Sequence, residues 1–368
     1  MAPRSISVSG TFWIQFLYDV CEEIRLAELR TRLGVQPGGR EPSFRQPVPE
    51  YVRFQKPPVI EYLEPLVLES GERLHNQIHY YEYGVVSIEL QLPFACEWDD
   101  LIRLSNRWIA APELEKRAAD VVRQSLDRAI PALVKPYEHW LSEDYYIIQL
   151  HPVTNACGGA LTGDQLIAEH GAHIAQVVRG ELLPLSEDER TEILQSRRSY
   201  YPEDLVVIGW TAALVYDAPE GALPIIQLLE YANSQLIEFR YYDDMLTNLL
   251  AGVYRSLEKG TGVLARWRLA RAAERLNTIR LDVRELTERM DNSIKFLSDM
   301  YSARVYRQAA DKVGVTDYRK LVDEKLATAG DLYQFMVDQF QHGRAFVLEL
   351  MVVIILVIEL VFLFGGIK

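Results

Sequence analysis

Two carboxylates stand where an ionisable side chain is costly. Glu349 and Glu359 are the only charges in the run 345–367, AFVLELMVVIILVIELVFLFGGI. A carboxylate in such a run is a functional candidate by default, because it must face protein or water rather than hydrocarbon. Glu349 is close enough to the start to snorkel out. Glu359 is not, so a protonated Glu359 hydrogen-bonded to a neighbouring copy of the chain is expected. A second cluster is cationic: Arg266, Arg268, Arg271, Arg275, Arg280 and Arg284, against Glu274 and Asp282. It suits anionic lipid headgroups or RNA, while its positions off the heptad seam favour a solvated coiled-coil face. His170 and His173 are three apart, so both side chains can reach one metal, yet no nearby Cys or carboxylate completes a ligand set. The loop 155–163, NACGGALTG, precedes a helix and has the glycine content of a phosphate cradle, without the lysine of a P-loop. No nucleophile–base arrangement, GxSxG, HExxH or dinucleotide fingerprint is present. No catalytic residue, metal site or cofactor is therefore nominated.

Composition narrows the class further. With 49% apolar and 25% charged residues, the 368-residue chain has the make-up of a folded protein with room for two or three cores. Its net charge is −13, and the first 261 residues carry −15, which argues against nucleic acid as a bulk partner. Cys21, Cys96 and Cys157 form neither a disulfide framework nor a zinc spacing. The start, MAPRSISVSG, lacks an apolar signal region, so the bulk of the chain is expected on the cytoplasmic or organelle-matrix side of a membrane.

The elements that must position these residues fall into three parts. Over 1–218, an α+β domain is expected. Strands are read at 5–20, 59–69, 73–83, 84–92, 144–150 and 206–216, and helices at 21–34, 98–110, 112–130, 163–180 and 186–196. Seven of the 17 prolines lie between Pro37 and Pro65, which marks an extended crossing. Over 219–344, apolar residues recur at four-three spacing: Ile225, Leu229, Ala232, Leu236 and Phe239, with one polar break at Asp243, then Leu246, Leu250 and Val253. The pattern resumes at Leu269, Leu276 and Val283, and again at Val322, Leu326, Ala329 and Tyr333, with Gly314 as a break. An antiparallel helical coiled-coil stalk follows from this pattern, pairing either within or between chains. Over 345–367, 23 residues give a helix of roughly 34 Å against a hydrocarbon core of about 30 Å, so one C-terminal transmembrane helix is expected. A straight hairpin about Gly314 would carry Arg266–Arg284 into the bilayer, which calls for a hinge at Gly343.

Several stretches carry a resemblance. Tyr83-Gly84-Val85-Val86 opens a strand, Asp204–Asp217 reads DLVVIGWTAALVYD, Leu229–Asp244 reads LEYANSQLIEFRYYDD, and Lys325–Phe364 runs from a helix into an apolar end. Together they resemble the "required for meiotic nuclear division" family, whose shared region is a domain of unknown function. That resemblance implies a membrane-tethered organising protein and supplies no catalytic residues. The expected function is a tail-anchored scaffold that self-associates through stalk and anchor. It holds an unidentified protein partner at membrane lipid. The alternative is an enzyme or small-ligand sensor with a pocket in 1–218.

Overall fold

The computed structural model describes residues 7–34, 57–68, 71–109, 111–154, 159–258, 271, 274–284, 287 and 300–364, with side chains described for these except 256–258, 336–350 and 361–364. Val8–Ile24 (β1) is a 17-residue strand rich in β-branched and aromatic residues, and it lies inside the sheet of the first domain. It pairs antiparallel with Val85–Cys96 (β4) on one side and Leu133–Leu150 (β5) on the other. Val59–Val67 (β2) and Arg73–Tyr80 (β3) extend the β4 side. Arg197–Arg198 (β6), Leu205–Ile208 (β7) and Ala212–Tyr216 (β8) complete the other. The order is β2-β3-β4-β1-β5-β8-β7-β6, and β5–β8 is the one parallel pair among them.

Side chains of opposite parity reach opposite faces of this sheet. On one face Phe12, Ile14 and Phe16 of β1, Ile78 and Tyr80 of β3, Val86, Ile88 and Leu90 of β4 and Tyr146 and Ile148 of β5 form a buried apolar core. Five helices contribute to it: Leu26–Leu33 (α1), Trp98–Trp108 (α2), Pro112–Ala129 (α3), Gly163–Arg179 (α4) and Glu187–Gln195 (α5). Each fully buried side chain of this size stabilises by roughly 1.5–3 kcal/mol. The opposite face carries polar residues and is covered by the part of Pro219–Glu258 (α6) up to Tyr241, described below.

Three elements differ from the sequence reading, each because pairing outweighs local preference. β1 continues to Ile24, where a helix was expected from Cys21, because Cys21 pairs with Pro136 and Ile24 with Leu133. β5 begins at Leu133 rather than at Asp144 for the same reason. The apolar stretch 206–216 is a hairpin, β7 and β8, turning at Gly209-Trp210-Thr211.

Two compact units are present, Met1–Tyr241 with Met290–Tyr318, and Tyr242–Arg289 with Arg319–Lys368. Met300–Val313 (α7) ends at Gly314, whose φ of 96° stops the helix, and Val315–Phe364 (α8) follows. In the second unit Leu250 and Val253 of α6, Leu276 of the helical segment 274–284 and Ala329 of α8 bury against one another. The heptad residues thus meet within one chain here.

The transmembrane helix expected over 345–367 is not found. Among the described residues no helix is long and apolar enough to cross a membrane. The apolar run is the end of one 50-residue helix that begins in polar sequence, not an element of its own. The tail-anchored architecture, the single-pass placement and the assignment to one side of a membrane go with it.

Candidate functional site

On the polar face the register of three strands assembles a single row. Gln15 of β1 and Gln77 of β3 both stand opposite Glu89 of β4. Glu89 is 2% exposed and accepts from three amides: Gln77 Nε2 at 2.5 Å, Gln91 Nε2 at 2.9 Å and Gln15 Nε2 at 3.3 Å. In the next row His79 stands opposite Ser87. A one-residue slip of β4 would send all of these groups into the apolar core, so hydrophobic burial on the far face fixes the polar site on the near one.

α6 closes the site from above. Its residues 228–239 are buried without a break, including Glu230, Asn233, Ser234, Gln235 and Glu238. His79 Nδ1 lies 2.8 Å from both Glu230 oxygens, and Tyr81 adds a side-chain hydrogen bond to the same carboxylate. Tyr83 Oη and Ser234 Oγ are 2.6 Å apart, and Tyr306 of α7 donates to Gln235. Further along, Arg240 pairs with Glu143 of β5 and Tyr241 stacks on Tyr137 with centroids 4.6 Å apart.

Electrostatics in this layer run in one direction. Burial acts to lower the His79 pKa, but the Glu230 carboxylate outweighs it and holds the imidazolium to about 9. Glu89 is pushed up, first by desolvation, with His79 opposing and Glu230 adding to the rise. Asp19, 1% exposed, is raised well above the usual carboxylate range by burial and then by the nearby Glu238 charge. Several buried atoms find no hydrogen-bond partner among the described protein atoms: Trp13 Nε1, Gln15 Oε1, both Asp19 oxygens, His79 Nε2, Ser87 Oγ and Gln149 Nε2. Each such group costs about 1–3 kcal/mol when it stays unmet, so a cluster on one sheet face is retained against a stability penalty. Chemically the layer can hold and exchange protons and can hydrogen-bond a polar guest. It has no nucleophile beside a base, and no cluster able to hold a metal occurs among the described residues.

The residues singled out from sequence lie elsewhere. Asp243 receives Lys325 Nζ at 2.5 Å across the second unit, so the polar break in the heptad is an ion pair between α6 and α8. Glu359 is exposed on α8; the side chains of Glu349 and Gly343 lie outside the described residues, as do Arg266 and Arg268. The reason for a hinge at Gly343, keeping arginines out of a bilayer, disappears with the span. Arg271 and Arg275 are exposed. His170 and His173 pack with Trp98, at 4.9 and 5.7 Å between centroids, and burial followed by the neighbouring imidazole lowers the His170 pKa. Of the glycine-rich loop, 155–158 lie outside the described residues. The layer itself escaped the sequence reading. Its signal was present as Gln15 and Asp19, Gln77 and His79, and Ser87, Glu89 and Gln91, polar residues at alternate positions of three strands that read as solvent-facing.

The architecture defines a mixed-sheet α+β domain with a buried ionisable layer, continued by long helices. Residues 9–222 match the family described as "Uncharacterized protein MJ0711, N-terminal domain", and the chain belongs to that family. Uncharacterized protein MJ0711 of Methanocaldococcus jannaschii is 21% identical over 198 residues, covering 54% of this chain and 61% of that protein. No solved structure matches. These similarities support an uncharacterised family and carry nothing on meiotic nuclear division or membrane anchoring. The match includes Gln15, Gln77, His79 and Glu89 and ends before Glu230.

Proposed function

We propose that the protein is a responsive binding module rather than a hydrolase or transferase, with the layer under α6 as its sensing element. The observation that carries this reading is the His79–Glu230 pair, a buried imidazolium–carboxylate contact between the sheet and α6. Holding that helix down depends on the proton retained by His79, and the upward shifts of Glu89 and Asp19 act in the same direction. α6 then continues past Tyr241 into the second unit, so loosening it is a means of output. This develops the sensor alternative, and the finer likeness to the meiotic nuclear division family adds an organising role without an activity. Hydrogen exchange tests it: amides 225–241 should lose protection between pH 6.5 and 9 more steeply than those of β1. Parallel loss in both, or none, would refute the reading.

A second reading, a scaffold that self-associates, is favoured by the exposed apolar side chains of Met351–Leu360, roughly half exposed each. Its committed partner is another copy of this chain. Deleting 345–368 should lower the mass measured by light scattering to that of a monomer, and an unchanged oligomer would dismiss it.

A further inference from the structure

At the far edge of the sheet from β2, a cleft of about 320 Å³ is lined by Asp164, Arg197, Arg198, Ser199, Tyr201, Pro202, Tyr301 and Arg304. We propose that this cleft binds a small phosphorylated molecule, independently of the layer under α6. Three arginines from two distant stretches of the chain converge there, two from edge strand β6 and one from α7. None of the three makes an ion pair among the described residues, although the chain as a whole carries a net charge of −13. Like charges in excess repel one another, and a phosphate group relieves that repulsion while meeting the guanidinium donors bidentately.

The start of α4 also borders the cleft, and two of its first donors are already used. Gly163 N–H bonds Pro202 O at 2.8 Å, and Gln165 N–H bonds Thr162 Oγ1 at 3.2 Å in a capping box. The guanidinium groups, which carry full charges, supply the main attraction. Asp164 contributes the one opposing charge in the lining, leaving an excess of two positive charges.

The walls are fixed before any ligand arrives. Asp204, buried, accepts from Tyr200 N–H at 2.7 Å and Tyr201 N–H at 3.0 Å, which sets the loop after β6. Tyr200 packs edge-on against Tyr301 at 5.1 Å, joining that loop to α7. A pre-ordered site avoids the entropic cost of closing around its ligand. The volume lies at the lower end of the roughly 300–1,000 Å³ seen for small-molecule sites. Tyr201 and Tyr301 add planar faces suited to a ring beside the phosphate.

Calorimetry with the full chain tests the assignment, using pyrophosphate and ADP as probes at low and at physiological salt. Saturable one-to-one binding of either probe is expected, weakened about tenfold or more by Arg304→Gln and by Arg197→Gln. Both arginines are exposed, so thermal unfolding of the variants should match the parent. Asp164→Asn should tighten binding, and a weakening there would overturn the electrostatic basis. Binding should also fall as salt rises. Absence of saturable binding by both probes, binding indifferent to the two arginine substitutions, or binding only of a single-stranded oligonucleotide would each overturn the proposal.

Discussion

At the scale of single residues, His79 decides how the first domain responds to pH. Its pKa is raised from 6.5 to about 9, so the stability it contributes is complete below pH 6.5 and is lost as pH rises through about 9. The full window is worth on the order of 3 kcal/mol. Asp19 and Glu89 are raised as well, so their share also declines with rising pH, beginning in the acid range. Urea midpoints should accordingly fall between pH 6.5 and 9, and a flat profile would contradict the charged imidazolium. His79→Gln leaves Glu230 buried without its cation and should cost about 3–5 kcal/mol, with a shallower pH slope in the remaining range. Asp19→Asn works in the other direction. It removes a desolvated acid beside Glu238 and should raise stability at pH 8 by about 1 kcal/mol in the same urea series. None of these roles was legible from residue type alone. A glutamate or histidine at an alternate strand position reads as solvent-facing until the cover over it is known.

At the scale of elements, the sheet owes its site to turns and register rather than to propensity. Gly84, with φ of 96°, closes the turn before β4, and a Cβ there would stand 1.8 Å from the carbonyl oxygen of Cys21. Gly84→Ala should therefore destabilise by at least about 2 kcal/mol in thermal or urea unfolding, with loss of protection centred on β3 and β4. A wild-type midpoint would mean that the turn relaxes freely. Most elements were legible because period and capping signals agree: α4 starts after its cap Thr162 and stops before Gly180, as its pattern requires. The misread portions, 21–24 and 133–143, are polar or mixed stretches held as strand by partners on β1 and β5. Local sequence contains no term for such a partner.

At the scale of the whole molecule, the described residues include one core on the sheet and a separate one from α6, 274–284 and α8. Asp243→Ala removes the counter-ion of half-buried Lys325 in the second of these. Hydrogen exchange should rise in 319–335 while β1 keeps its protection, and equal loosening of both would show that they unfold as one. Sequence by itself determined the α+β character of the first part, the helical character after Pro219, the break at Gly314 and the heptad positions buried against one another. All of these follow from periodicity and from glycine or proline chemistry, which are local. It misjudged the apolar C-terminal run, because hydropathy summed over 345–367 treats as a separate span what the fold makes the end of α8. Tertiary structure alone decided which polar residues are buried. The parity of β1, β3 and β4 puts Gln15, Gln77, His79 and Glu89 on one face, but only the helix laid over that face takes them out of water. Once desolvated, the same residues that would be ordinary surface groups acquire shifted pKa values and hold α6 in place.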